Sequence, residues 1–184
     1  MGCRNGCHGN GKLDGDCRSG IIMGIRRKSR ELAIQALFYM DISKNDSQEA
    51  VELFCDNFAH SKHAIPFFLE LVNGVIDYKS EIDNIIERFS SNWKIGRMSC
   101  VDRNIIRLAI YELLFCKDIP SKVSINEAID VGKKFGTEES GAFINGILDS
   151  IRIALEKEEI DIVTTKVHGF KLESDEKEHL KPET

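Results

Sequence analysis

The spacing of apolar residues is the feature that most constrains this chain, because from Arg26 onward they recur at intervals of three and four positions. That spacing puts apolar side chains on one face of an α-helix, whereas a half-buried strand alternates every second residue. Seven segments follow the helical period, and only a weak run at 160–164 alternates. The sequence therefore predicts an all-α fold of about seven helices.

The fifth of these segments, Val101 to Cys116, has the broadest apolar face, and we expect it to be the central and most buried helix. Pro120 lacks a backbone N–H and stops it.

Local signals predict how the last two helices begin and end. Ser124 and Glu127 fit a capping box, which predicts that the sixth helix starts there. Gly136 fits a left-handed terminator of that helix, and Thr137 fits a cap for the seventh.

Composition divides the chain into three parts. Residues 1–22 are rich in glycine without any period and are predicted to be a disordered leader, 23–155 a helical domain, and 156–184 a charged, disordered tail. The leader's Cys3, Cys7, His8 and Cys17 are an alternative zinc set, but they lack paired C-x-x-C half-sites. Disorder is therefore favoured, and no metal site is predicted.

The distribution of charge is more informative than the net value of -5. Residues 1–30 contain seven Lys and Arg against two acids, whereas 156–184 contain five against nine. An anionic partner is therefore expected at the front of the chain. The sequence has neither a membrane-length apolar run nor a secretory signal, so we expect a cytoplasmic protein without a membrane partner.

The strongest functional feature is RRKSRE, in which four of five consecutive residues are cations: Arg26, Arg27, Lys28 and Arg30. We expect them at the opening of an amphipathic helix, where cations oppose the helix dipole and so do not stabilise the helix itself. Phosphates of RNA or DNA would use all four charges. The alternatives are a solvated helix face and an unstructured basic arm.

A second candidate surface follows in KKFG and SGAFING. Lys133 and Lys134 are cationic, Phe143 offers a ring on which an unpaired base can stack, and Asn145 offers hydrogen bonds. Packing of Phe143 in the core, on its own apolar stripe, is the favoured alternative. Asn145 has an alternative role too, bonding a neighbouring helix end.

Catalytic patterns are missing from the sequence. Its five histidines lie outside any nucleophile arrangement, and no phosphate-binding loop, dinucleotide fingerprint or H-E-x-x-H motif occurs. We therefore expect neither enzymatic activity nor a cofactor.

Three long segments carry a resemblance: RRKSRELAIQALF, DRNIIRLAIYELLF and DIPSKVSINEAIDVGKKFGTEESGAFINGIL. In this order and spacing they resemble the NusB family of transcription antitermination factors, from about Arg26 to Leu155. The resemblance implies a fold of two packed helical subdomains joined around the fourth and fifth helices.

The resemblance also implies a function. Family members bind boxA-type single-stranded RNA together with NusE, a small-subunit ribosomal protein, and help RNA polymerase to read through terminators, notably in ribosomal RNA operons. They have no catalytic activity and occur as monomers or dimers, so a homodimer is possible.

Single positions carry over from the family. Arg26, Arg27, Lys28 and Arg30 match its RNA-binding start, and Phe143 and Asn145 match an element near the RNA. Phe38 and Asp102 match positions expected to face NusE. The chain has Ala142 where the family often has a basic residue, which removes one expected phosphate contact.

Two other functions stay open from the sequence. NusB-like domains also occur in ribosomal RNA methyltransferases, but those need a large second domain, for which this sequence is too short. A purely protein-binding helical scaffold is the alternative from another class.

Overall fold

The computed structural model describes residues 14–58, 61–90 and 93–160, with only the backbone described at 14–19 and at 21. Over this range the chain forms seven α-helices and one short 3-10 helix, Ile95–Arg97, without any strand. The prediction of an all-α fold is confirmed. The helices are α1 (Asp14–Ser43), α2 (Gln48–Phe58), α3 (Ile65–Asp77), α4 (Lys79–Phe89), α5 (Cys100–Phe115), α6 (Ser121–Phe135) and α7 (Ser140–Glu156).

Helix α5 is the centre of the molecule. It packs against α1, α3, α4, α6 and α7, and its residues Ile105, Ile106 and Ile110 are at most 1% exposed. Burying one such side chain contributes about 1.5–3 kcal/mol to folding. The prediction of a central fifth helix is confirmed.

The other helices form two groups around α5. Helices α2 and α3 pack on α1, with Phe68 and Leu71 fully buried among them. On the other side α7 packs on α4 and α6, and Ile144 and Leu148 are fully buried. Helix α4 contacts both α3 and α5, so the two groups meet where the resemblance implied.

The start of α1 differs from the expectation. The helix begins at Asp14, inside the segment 1–22 for which no regular structure was predicted. The cations of RRKSR therefore lie in the middle of a helix of 30 residues, not at its opening. Because dipole effects fade within the first turn, the dipole does not act on them there. Cys3, Cys7 and His8 lie outside the described residues.

The capping box predicted for α6 is wrong. The helix begins three residues earlier, at Ser121, with Pro120 in the N-cap position. Ser124 is therefore already inside the helix, where its buried hydroxyl donates to Glu112 of α5 instead of capping a backbone N–H.

The predicted role of Gly136 is also wrong. Its φ of -98° and ψ of -155° are extended, not left-handed. A Cβ there would lie 2.3 Å from Ser140 Oγ and 2.8 Å from the carbonyl oxygen of Gly132. Glycine is needed at this position because α6 and α7 approach closely. Glu139, and not Thr137, occupies the N-cap of α7.

None of the helices in the described ranges is both long and apolar enough to span a bilayer.

Candidate nucleic-acid interface

The four cations of RRKSR point in different directions around α1. Successive residues of an α-helix are about 100° apart, so a run of neighbours cannot share one face. Arg27 and Lys28 are exposed, Arg26 is half-buried, and Arg30 is only 3% exposed. The charge cluster of the sequence is thus divided between solvent and core.

Arg30 forms a buried ion pair with Glu112 in the last turn of α5. Its Nε and Nη2 donate to the two carboxylate oxygens of Glu112 at 2.7 and 2.8 Å, and Glu112 is 1% exposed. Burial alone would lower the pKa of Arg30, but the hydrogen bond and charge of Glu112 outweigh it and the pKa is raised. Arg30 is therefore committed to the core, which corrects the expectation that all four cations are available to phosphate.

Arg26 is partly engaged as well. Its guanidinium lies 5.3 Å from the centre of the Phe67 ring, against which Arg30 also packs, at 5.5 Å. The same guanidinium donates to Asp118, in the turn between α5 and α6, and this hydrogen bond lowers the pKa of that carboxyl.

Arg27 faces α6 across a seam of opposite charges. Its guanidinium pairs with Asp130 and lies 3.3 Å from Glu127, while Lys134 of α6 reaches back to Glu31 of α1 at 2.6 Å. We call these five residues the α1–α6 seam. It joins a cation that the first sequence surface predicted, Arg27, to one from the second, Lys134.

Lys28 and Lys133 stand beside this seam as exposed cations. Neither has an ionic partner among the residues that the structure describes. The structure therefore joins Arg27 and Lys134 through the seam, and Lys28 and Lys133 occupy the adjacent positions on the same turns of α1 and α6.

Phe143 and Asn145 do not lie together. They are two positions apart on α7, so their side chains leave the helix about 200° apart. A Cβ on Gly141 would touch Lys133, and Asn145, one turn further on, is exposed on that same side. Phe143 is half-buried on the other side, in an edge-on contact with Trp93 at 5.8 Å between ring centres. Phe143 thus packs against the edge of the core without being fully buried.

Trp93 is an aromatic residue that the sequence reasoning missed. It is 52% exposed and precedes Lys94, which is also exposed. The signal was available, since a large aromatic residue lies outside the periodic segments beside a cation.

The positions expected to face a protein partner differ in accessibility. Phe38, Tyr39 and Ile42 are exposed near the end of α1. Phe38 follows Arg27 by eleven residues, which places it on nearly the same face about 16 Å further along. Asp102 is buried in the first turn of α5, where its N–H donates to Ser99 Oγ. Its Oδ1 has no hydrogen-bond partner within the described part of the chain.

Helix α1 thus has a basic part and an apolar part on one exposed face.

The region of the chain that the structure describes holds no group of three or more His, Cys, Asp or Glu side chains able to bind a metal ion.

Comparison with known proteins decides the family. The model of the NusB family matches residues 27–152, which is more than half of the chain. The chain belongs to the NusB family.

Its relatives agree over nearly their full lengths. It is 60% identical over 137 residues to the transcription antitermination protein NusB of Desulfatibacillum aliphaticivorans, a match that covers 74% of this chain and 96% of the relative. The protein of the same name from Myxococcus xanthus is 48% identical over 139 residues, covering 73% and 99%.

Solved structures share the fold. NusB of T. maritima superposes with a TM-score of 0.64 at 40% identity, covering 73% of this chain and 97% of that one. A chain from a crystal structure of the antitermination factors NusB and NusE in complex with dsRNA gives 0.65 at 29% identity, covering 72% and 98%.

The NusB match begins at Arg27 and includes the whole α1–α6 seam. The part of α1 before Arg27 lies outside it, as do all residues after 152.

Proposed function

We propose that this NusB-family chain is a non-catalytic transcription antitermination factor of the cytoplasm. It binds boxA-type single-stranded RNA together with NusE, within the antitermination complex of RNA polymerase, and supports read-through notably in ribosomal RNA operons. The observation that carries the proposal is the exposed face of α1 in a NusB-family domain, where cations lie in the middle of the helix and apolar side chains near its end.

The RNA surface consists of Arg27, Lys28, Lys133 and Lys134. Two of them are paired with carboxylates, but exposed ion pairs contribute only about 0–1 kcal/mol, so an RNA phosphate can replace a carboxylate at little cost. Arg26 is a peripheral contact on the Phe67 side. Asn145 adds hydrogen bonds next to Lys133, and Phe143 adds stacking only where RNA reaches the other edge of α7.

The partner surface is the apolar part of α1. Phe38, Tyr39 and Ile42 expose enough aromatic and aliphatic area to form the centre of a protein interface. We assign it to NusE, in keeping with the related structure of NusB and NusE in complex with dsRNA. Asp102 contributes to this contact if it turns outward on binding, since its Oδ1 is buried without a hydrogen bond.

The test is the affinity of the full chain for labelled boxA-type RNA with and without NusE, using single-stranded and double-stranded probes. Two ligands that favour the same bound state tighten each other's binding by the same factor. We expect tighter RNA binding in the presence of NusE and a preference for the single strand. Equal affinity with and without NusE would contradict the proposal.

Two variants show which surface acts in that test. Arg27→Glu with Lys28→Glu is expected to weaken RNA binding and to flatten its salt dependence, because backbone contacts are lost. Phe38→Ala is expected to leave binding of RNA alone unchanged and to remove the gain from NusE. A purely protein-binding scaffold would keep its partner in the first variant and show no RNA binding in the wild type.

A further inference from the structure

We propose that Asp130 and Glu31, two of the three carboxylates of the α1–α6 seam, compete with RNA phosphate for Arg27 and Lys134 and thereby limit the affinity of the RNA surface. The inference rests on the proposed RNA-binding function and names the residues that regulate it.

The seam is reciprocal, with one exposed cation held on each helix. Arg27 of α1 reaches to Asp130 of α6, and Lys134 of α6 reaches to Glu31 of α1 at 2.6 Å. Both cations are about half exposed, at 47% and 54% of their side-chain surface. Both cations of the seam, Arg27 and Lys134, are therefore already bound to an anion.

Glu127 differs from these two carboxylates in lying near two cations, and not in its exposure alone, because the side chain of Glu31 is only 14% exposed. The Glu127 side chain is 18% exposed and lies between Arg27, at 3.3 Å, and the buried Arg30, at 3.7 Å. It balances the charge of a guanidinium in the core and so belongs to the fold. Asp130, with 52% of its side chain exposed, has no such second cation among the residues that the structure describes.

Phosphate and carboxylate use the same donors of a guanidinium. An RNA strand that contacts Arg27 must therefore displace Asp130 or accept its negative charge within a few ångströms. Either alternative reduces the affinity. The unpaired neighbours Lys28 and Lys133 impose no such exchange, and they would provide the first contacts.

The test measures RNA binding by the full chain without NusE across a series of salt concentrations, for Asp130→Asn and Glu31→Gln. Neutralising a competitor frees one cation, and an exposed pair contributes up to about 1 kcal/mol, so each variant is expected to bind about two- to fivefold more tightly. The slope of log K against log salt should steepen by about 0.7 for one further contact with a single strand. Thermal melts confirm that each variant folds.

Asp46→Asn is the matched control. Asp46 forms an exposed pair with Lys79 at 2.7 Å, so the change in charge and chemistry is the same. The pair lies beyond the far end of α1, about 24 Å along the helix from Arg27, which is several times the screening length in physiological salt. RNA affinity should not change.

Measuring the effect of Asp130→Asn in a protein that also carries Arg27→Ala separates competition for Arg27 from a general effect of net charge. If Asp130 acts through Arg27, the gain from Asp130→Asn disappears when Arg27 is replaced by alanine. An equal gain in both backgrounds would overturn the inference, and so would weaker binding by Asp130→Asn, which would show that the carboxylate holds Arg27 in place for RNA.

Failure of the two proposals can be told apart. Wild-type protein that binds no RNA in any salt contradicts the proposed function and the inference with it. Wild-type protein that binds RNA while Asp130→Asn binds equally well contradicts the inference alone.

Discussion

Two arginines three residues apart in RRKSR form ion pairs of opposite character. Arg30 and Glu112 meet in the core with 4% and 1% of their side chains exposed, while Arg27 and Asp130 meet at the surface with 47% and 52% exposed. The chemical groups are the same in both pairs. Their difference shows that the accessibility of a cation, and not its presence in a basic run, decides whether it can serve a ligand.

The buried pair is surrounded by further polar contacts. Ser124 donates to Glu112 at 3.0 Å, and Glu127 places a second carboxylate 3.7 Å from Arg30. The pair thereby connects α1, α5 and α6. Removing one partner would leave a charge in the core, which is far more costly than exposing one at the surface.

The largest effect is expected from breaking the buried pair. Glu112→Ala should lower the free energy of unfolding by about 3–5 kcal/mol, because Arg30 would lose both of its hydrogen bonds to Glu112 and keep inside the protein only the carboxylate of Glu127, at 3.7 Å. Urea unfolding measures it. Replacing both partners together, as Arg30→Met with Glu112→Leu, should restore a large part of the loss, and a single variant within 1 kcal/mol of wild type would contradict the assignment.

An intermediate effect on stability is expected at Asp41. Its side chain is 15% exposed, which lies between the values for Glu112 and Asp130. Burial alone would raise the pKa of this carboxyl, but hydrogen bonds from Arg103 and Asn104 outweigh it and the pKa is lowered. A lowered pKa adds stability above the ordinary value for aspartate, and this is lost as the pH falls through the lowered one. Asp41→Asn should cost about 1–2 kcal/mol at pH 7. Unfolding at several pH values should show the difference shrinking below about pH 4; a constant difference would contradict this account.

The smallest effect on stability is expected at the seam. Arg27→Ala should change the free energy of unfolding by less than about 0.5 kcal/mol, since exposed pairs contribute little. Urea unfolding at low and high salt measures it. Lys79→Ala, which removes the exposed partner of Asp46, is the matched control. A loss of 2 kcal/mol for Arg27→Ala would mean that the seam supports the fold and is not a free surface.

The helices were predictable because each one follows from the spacing of apolar residues within its own segment. Apolar spacing identified the seven α-helices within the described range and the central position of α5. The antitermination family, predicted from motifs, agrees with the comparisons. The boundaries were less predictable, since Ser124 bonds to a residue of another helix and Gly136 is required by the approach of two helices.

The separation of the RRKSR cations between solvent and core was not predicted, because a count of charges in a sequence does not say where each side chain points. One signal was present in IYEL, where Glu112 interrupts the broadest apolar face of the chain. A carboxylate buried at the centre of a domain needs a cation, and the choice of Arg30 depends on how α1 crosses α5. The placement of Phe143 and Asn145 on opposite sides of α7 was predictable from helical geometry alone, because they are two positions apart.

The most direct test of the account compares RNA binding and stability in one variant, Arg27→Ala with Lys28→Ala. We expect a fold of nearly wild-type stability, affinity for boxA-type single-stranded RNA reduced by at least about tenfold, and a salt slope smaller by about 0.7 for the lost contact of the unpaired Lys28. A folded variant that binds this RNA with unchanged affinity and slope would contradict the account, because the exposed cations of α1 would then have no part in binding.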